Sequence, residues 1–523
     1  MPSVNAQKRI GIAALIWGAS MMLSRAIGVI RESVIGRTLG DSPEADAYWA
    51  AFALPGFLQY MLAGGALSMV FIPMFSRYLE KNDAEGGWRL FSILFTTLSV
   101  ILAVVVPTFI FITPWVSSLA VPGFEGEKLE IWIRLTRIML PAQIFHILGG
   151  LLSAVLMAKD KHALPAFANL GYSGGIIVFG IALGPRLGPE AFAWGVLVGS
   201  IVGPFGLPLI GCLREGLLHF RPRIDFAHPD FRRYLWLTLP IAVAFSVVVV
   251  DDWLIARFGS VLEEGVISRL TYAKTLMKVP MGIFGLAVAS AAYPTLSRQV
   301  NEGMPATAYD TLMRSCRQML VLAFASQAAF TVAGADVAEV IWGTARFTPA
   351  ELNEIGLYTG LFCLGLGAWA ANSILARGFY AQQKTWIPSL AGSGIILLLY
   401  PLYAWLASNY GGPGLGMASS IAITLYTVIL AVLLRRTMAG PDADNLWTLL
   451  IRMVPAVLLA TGAGWGLDQF IDQQGGLPAL LQGALTGSLA LGLTLILARI
   501  FGVPEVSEIT AKVWGKVRSK LPA

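Results

Sequence analysis

Apolar stretches long enough to cross a bilayer follow one another along almost the whole of this chain, and that repetition leaves few folds open. They fall at about 11–36, 46–73, 88–115, 129–157, 165–184, 190–213, 234–257, 265–293, 311–333, 353–376, 386–407, 413–434, 447–467 and 477–500, about 14 in all. In hydrocarbon every backbone N–H and C=O must be satisfied within the protein, so such stretches are read as transmembrane helices. Of 523 residues, 56% are apolar and 13% charged, and mean hydropathy is +0.69, which leaves no room for a sizeable soluble domain. The expected fold class is an all-α polytopic membrane protein. Lys8 and Arg9 precede the first stretch, but it is longer than the apolar region of a signal peptide and further spans follow at once, so it is read as a retained helix.

A formal net charge of +6 does not point to nucleic acid, because the cations follow topology rather than forming a patch. With the N-terminus cytoplasmic, every second loop is basic: Arg77, Lys81 and Arg89; Lys159 and Lys161; Arg214, Arg221, Arg223, Arg232 and Arg233; Arg298 and Arg314; Lys384; Arg435 and Arg436; Lys512, Lys516, Arg518 and Lys520. The alternate loops carry acids, among them Asp41, Glu44, Glu125, Glu127, Glu263, Glu264, Asp336, Glu339, Asp468 and Asp472. An even number of helices with both termini inside satisfies the positive-inside rule along the whole chain. Cys212, Cys316 and Cys363 are too few and too scattered for a disulfide framework or a metal site. From Val506 onward, Val506, Ile509, Val513 and Val517 share a helical face, as expected of either a helix on the anionic inner leaflet or a solvated basic tail.

The chain also repeats itself. Ala158-Lys159-Asp160-Lys161-His162-Ala163-Leu164-Pro165 recurs as Ala381-Gln382-Gln383-Lys384-Thr385-Trp386-Ile387-Pro388, Pro73–Arg77 resembles Pro294–Arg298, and Gly188-Pro189 resembles Gly412-Pro413, all about 220 residues apart. This lays the first six helices over the next six. Six is even, so both halves insert with the same orientation, the parallel-repeat plan of many transporters, with a cavity expected between the lobes. The boundaries are an N-lobe at 1–213, a basic linker at 214–233, a C-lobe at 234–437, two surplus helices within 438–503 and a basic tail at 504–523.

Charges inside the spans mark the candidate site. Arg25 lies roughly 22 Å along a helix starting near Ile10, close to mid-bilayer, where a cation costs about 2.5–3.5 kcal/mol unless it faces protein or water. Arg31 is about 120° around the same helix, so a bend at Gly28 or a broad cavity is needed for both to face inward. Both suit an anionic ligand; the alternative is an interhelical salt-bridge set. Glu32 is expected to be a local charge partner. Ser42-Pro43 has the form of an N-cap with proline at the first helical position, which puts Asp46 in the first turn, either favouring the helix dipole or forming a gate ion pair with Arg31 or Arg37. Lys274 and Lys278 share a face, tolerable if an anion or acids lie opposite, or if both snorkel to an interface. Asp251 and Asp252 interrupt Val247–Val250 and should be protonated, paired with a cation such as Lys274, or bound to a coupling ion such as Na⁺ or H⁺. His146 fits packing better than proton relay. No phosphate-binding loop, metal cluster or nucleophilic triad can be assembled, so an ATP-driven pump or hydrolase is not expected and no cofactor is implied.

Several of these residues lie in stretches that resemble the MurJ (MviN) lipid II flippase family: Ser24–Glu32, Ala45–Tyr48 with Ala53-Leu54-Pro55, Gly65–Ser68 with Phe71-Ile72-Pro73, Pro165–Ala168, Tyr272-Ala273 with Leu276-Met277 and Pro280, and Gly378–Ala381. The resemblance implies the multidrug/oligosaccharidyl-lipid/polysaccharide exporter fold, with two six-helix lobes in a V and two extra helices forming a lipid-tail groove. It also implies alternating access that moves an undecaprenyl-pyrophosphate-linked saccharide from the inner to the outer leaflet of the bacterial cytoplasmic membrane, with membrane lipids and cell-wall synthesis proteins as partners. Two departures stand out. Gln59, Tyr60 and Gly64 replace the family's usual arginine pair and glutamate, and Lys274, Thr275 and Lys278 replace its usual acidic pattern on helix 8. Cationic charge has moved from helix 2 to helix 8, so Arg25, Arg31, Lys274 and Lys278 are expected to form a diphosphate cradle. Export of an O-antigen or exopolysaccharide unit on the same carrier, or a non-transporting cell-wall scaffold, are the competing functions. A drug or cation exporter would want an acidic cavity, against Arg25 and Arg31.

Overall fold

The computed structural model describes residues 23–63, 70–243, 247–343, 346–382, 384, 386–440, 446–474 and 476–518. Lys8, Arg9, the start of the first span and the Gly65–Ser68 motif lie outside the described residues, as do the side chains of Val513 and Val517. Every described regular element is helical, as the apolar pattern requires. Two compact units emerge: one holds residues up to Phe245 together with Glu263–Ser268, the other Ser246–Leu262 and Arg269 onward.

In the first unit a helix at 23–39 (α1) is followed by α2 (Pro43–Ala50), α3 (Ala53–Ala63), α4 (Ile72–Glu80), α5 (Ala84–Ala120), α6 (Gly126–Met139), α7 (Ala142–Ala158), α8 (Ala163–Leu187), α9 (Pro189–Ser200), a π-helical turn and α10 (Leu207–Arg214), and α11 (Pro229–Val243). Its core is built on α5 and α7, where Leu90, Phe91, Leu94, Leu151, Leu152 and Val155 are buried around Phe75 and Trp88. Pro114 inside α5 cannot donate to the Ile110 carbonyl four residues back. Arg137 Nε on α6 supplies that donor from outside, at 3.2 Å. Where α11 begins, the Tyr78 hydroxyl donates to Asp230 at 2.5 Å, and burial together with Asp230 pushes its pKa up to about 12, so it stays a donor at neutral pH.

The second unit contains α12 (Val247–Gly259), most of α13 (Val266–Asn301), α14 (Pro305–Val332), α15 (Gly334–Trp342), α16 (Pro349–Cys363), α17 (Leu366–Ala381), α18 (Trp386–Met438), α19 (Trp447–Gln473), α20 (Ala479–Ile500) and α21 (Pro504–Arg518). The 53 residues of α18 would measure about 80 Å if straight, far more than a bilayer core. It breaks at Gly411, with φ 60° and ψ −135°, between the two apolar stretches that the sequence separates there. Gly188, between α8 and α9, has nearly the same backbone, φ 54° and ψ −132°. The repeat therefore aligns Gly188 with Gly411, not Gly412, and both halves turn on a conformation open essentially to glycine alone.

Among the described residues, seven helical segments are long and apolar enough to cross a membrane, or nine with two bent pairs counted as single spans. That is fewer than the about 14 expected from sequence. α1 and α13, both expected to cross, carry charges along their length: Arg25, Arg31, Glu32 and Arg37 on one, and Arg269, Lys274 and Lys278 on the other. The tail helix α21 docks on α14, where buried Arg317 bonds Glu505, and Arg314 and Gln318 bond Glu508 at 2.9 and 2.8 Å.

Candidate functional site

The predicted site residues fall into three groups, each settled by local chemistry. On α1, which runs unbroken through Gly28, Arg25 is exposed and makes no ion pair with a described residue, while Arg31 is half-buried. The Arg31 guanidinium bonds its neighbour Glu32 at 2.5 Å and lies 5.9 Å from the centre of the Tyr172 ring on α8. Glu32 is thus the expected local charge partner, and its partner is Arg31. The arginine gains a carboxylate on one side and an aromatic face on another, which together hold a half-buried cation in a defined position. Tyr172 was not singled out from the sequence, because nothing in the chain's spacing links it to Arg31.

The second group centres on Asp46. Ser42 caps α2 as expected, accepting from the Ala45 amide at 3.3 Å with Pro43 in the first turn. Asp46 itself is buried and collects four donors: Lys128 Nζ at 2.9 Å, the Gly265 amide at 2.8 Å, and the Ser268 amide and hydroxyl at 2.9 and 2.8 Å. Its ion partner is Lys128, not Arg31 or Arg37. The Gly265 amide immediately precedes α13 and the Ser268 amide lies in its first turn, where N–H groups have no partner within their own helix. A carboxylate placed there satisfies two of them and sits at the positive end of the helix dipole. Gly265 adopts φ 83°, and a Cβ there would come within 2.6 Å of the Asp41 carbonyl, so glycine is required on both counts.

The third group is a buried ion cluster in the second unit. Lys274 on α13 bonds both Asp251 and Asp252 on α12, and Asp251 also accepts from the Tyr403 hydroxyl and from Ser419 at 2.9 Å, both on α18. Lys274, Asp251, Tyr403 and Ser419 are each at most 4% exposed. The ammonium lies 5.9 and 5.8 Å from the rings of Phe362 and Trp369. Of the three fates open to the aspartates, pairing with Lys274 is the one observed. Removed from water, a lysine held by two carboxylates and flanked by two aromatic faces is far more constrained than a surface ion pair. Lys278, one turn further along, is half-buried and adds positive charge near Asp252. Tyr403 and Ser419 could have been suspected only as polar residues within apolar spans. Their convergence on Asp251 is set by packing. His146 bonds Ser200 at 2.9 Å and stacks edge-on against Tyr172, a packing role.

Residues 35–485 match the sequence profile of the family described as lipid II flippase MurJ. The chain is 27% identical over 472 residues to the probable lipid II flippase MurJ of Rhizobium tropici, covering 86% of this chain and 84% of that protein. It is 26% identical over 449 residues to the lipid II flippase MurJ of Burkholderia cenocepacia, covering 84% and 87%. Its fold is similar to a solved lipid II flippase MurJ in an inward closed conformation, with TM-score 0.71, 21% identity and coverage of 93% and 98%. An inward-facing multidrug resistance MATE family transporter of the MOP superfamily is similar at TM-score 0.64 and 15% identity, covering 81% of this chain and 98% of that one. A profile match across most of the chain, on an all-helical transporter fold, places this protein in the MurJ lipid II flippase family.

Proposed function

We propose that this protein moves a polyprenyl-pyrophosphate-linked peptidoglycan precursor, lipid II, from the inner to the outer leaflet of the bacterial cytoplasmic membrane by alternating access. The observation that carries the proposal is the family match over residues 35–485. Both termini are assigned to the cytoplasm, in keeping with the basic loops. The protein is a transporter and not an enzyme in this proposal, and Na⁺ or H⁺ is the candidate coupling ion.

Within the proposal, Arg25 and Arg31 are the cations that meet the diphosphate. Arg31 exchanges Glu32 for phosphate oxygens as substrate arrives, a swap between two charge-assisted pairs. Lys274, offered by the sequence as a fourth member of the cradle, instead has its ammonium bonded to Asp251 and Asp252, and is assigned the role of holding α12, α13 and α18 together. Asp46 is assigned to a gate, since it fixes the first turn of α13 through bonds that a rearrangement would have to break. Gln59 and Tyr60, where the family usually carries arginines, favour a second reading with a different polyprenyl-linked headgroup.

Complementation tests the proposal. The resident lipid II flippase of a bacterial host is depleted, this chain is expressed, and lipid II exposed on the outer leaflet is assayed. Restored exposure and viability are the expected result. Failure despite normal membrane abundance would overturn lipid II as the substrate and move the assignment to another glycan on the same carrier.

A further inference from the structure

Glu130, Arg134 and Arg137 stand exposed on one face of α6, at helical positions i, i+4 and i+7. They belong to a segment, Gly126–Ala158, long and apolar enough to cross a bilayer. Its 33 residues measure about 50 Å against a hydrocarbon core of about 30 Å, so a centred segment enters the core near residue 132. Glu130 then lies nearest the aqueous end, with Arg134 one turn and Arg137 two turns further in. Side chains on a helix lean toward its N-terminus, so the Arg137 guanidinium reaches back toward headgroup level, where a polar partner is favoured.

Arg134 is met by Glu190, at 2.8 Å. Arg137 is met only in part, through Nε and the Ile110 carbonyl, and its exposed guanidinium has no ion pair with a described acid. Glu130 pairs with no described cation. Beside them α9 presents the indole of Trp194, 42% exposed, and an open groove of about 490 Å³ runs between these side chains, with Ile133 and Leu197 along it. An acid toward the aqueous end of the helix and an arginine two turns deeper reproduce, in reverse sign, the charge order of a lipid headgroup whose amine lies outward of its phosphate.

We infer that this groove binds a zwitterionic aminophospholipid of the adjoining leaflet, with its phosphate on Arg137 and the Trp194 N–H, its primary ammonium on Glu130, and an acyl chain along Ile133 and Leu197. The inference does not depend on the transported substrate. A purely anionic headgroup would meet repulsion from Glu130, and a choline headgroup has no N–H to give a carboxylate. Recognition is then specific for the amine, not for negative charge in general.

Native mass spectrometry of the full-length protein, purified and offered phosphatidylethanolamine, phosphatidylcholine or phosphatidylglycerol in turn, tests this. Phosphatidylethanolamine should be retained best, and Arg137→Gln should weaken its retention by about tenfold, the size of a lost charge-assisted bond. Glu130→Gln should abolish the preference for ethanolamine over choline, and Trp194→Phe should weaken retention while keeping the groove's shape. The latter two side chains bond no described residue, so they carry the test if Arg137→Gln, which also strips the Ile110 carbonyl of its donor, fails to fold. Equal retention of the three lipids by the unaltered protein, or a preference unchanged by Glu130→Gln and Trp194→Phe, would overturn the inference.

Discussion

Asp46 closes the open first turn of a helix that begins 220 residues later: its Oδ1 accepts from both the amide and the hydroxyl of Ser268. A cap normally comes from the residue just before a helix, and here it comes from a distant one, so the stability of α13's first turn depends on where α2 is held. Asp46→Ala removes the cap and leaves Lys128 without its carboxylate. Loss of about 2–4 kcal/mol is expected, read as a lowered unfolding temperature in detergent. Lys128→Met should cost less, since both amides keep their acceptor.

The cluster around Lys274 calls for a paired measurement. Lys274→Met leaves the buried Asp251, and the exposed Asp252, without their cation, so membrane abundance and thermal stability should both fall sharply. Adding Asp251→Asn should recover part of the loss, because the double variant no longer buries an unmatched charge there. Equal stability of the single variant and the parent would show that the cluster does not hold α12 to α13.

Arg31 and Glu32 are expected to split binding from stability. Arg31→Ala should abolish transport and also lower abundance, because it leaves the buried Glu32 carboxylate without its cation. Glu32→Gln should keep abundance near normal and tighten substrate binding by about tenfold while slowing turnover, since the competitor for the guanidinium is gone. Ligand binding and flipping assayed on the same preparation separate the two effects. Unchanged binding in Glu32→Gln would remove Arg31 from the diphosphate site.

Gly188 and Gly411 offer a clean backbone test. A Cβ at either position meets nothing within 4 Å, yet both have positive φ with strongly negative ψ. Alanine at each should therefore cost about 1–3 kcal/mol through backbone strain alone, with similar values at the two sites. Thermal unfolding of the two single variants and the double checks this, the double being additive if the turns are independent.

Hydrophobic length and charge distribution in the sequence determined the helical membrane class, because it is a property of composition along the chain, and the family was legible in local motifs that resemble it. Local rules placed Ser42 as a cap and located the turn near Gly188, though the equivalent glycine in the second half proved to be Gly411, since alignment by Gly-Pro pairs cannot see which residue takes positive φ. Pairings across the fold were decided by tertiary structure alone. Asp46 meets Lys128 and the first turn of α13, and Asp251 gathers Lys274, Tyr403 and Ser419. The sequence shows that a charge within a span must find a partner, because lipid will not solvate it. Which partner it finds depends on helix packing, which brings together residues that no spacing in the chain connects.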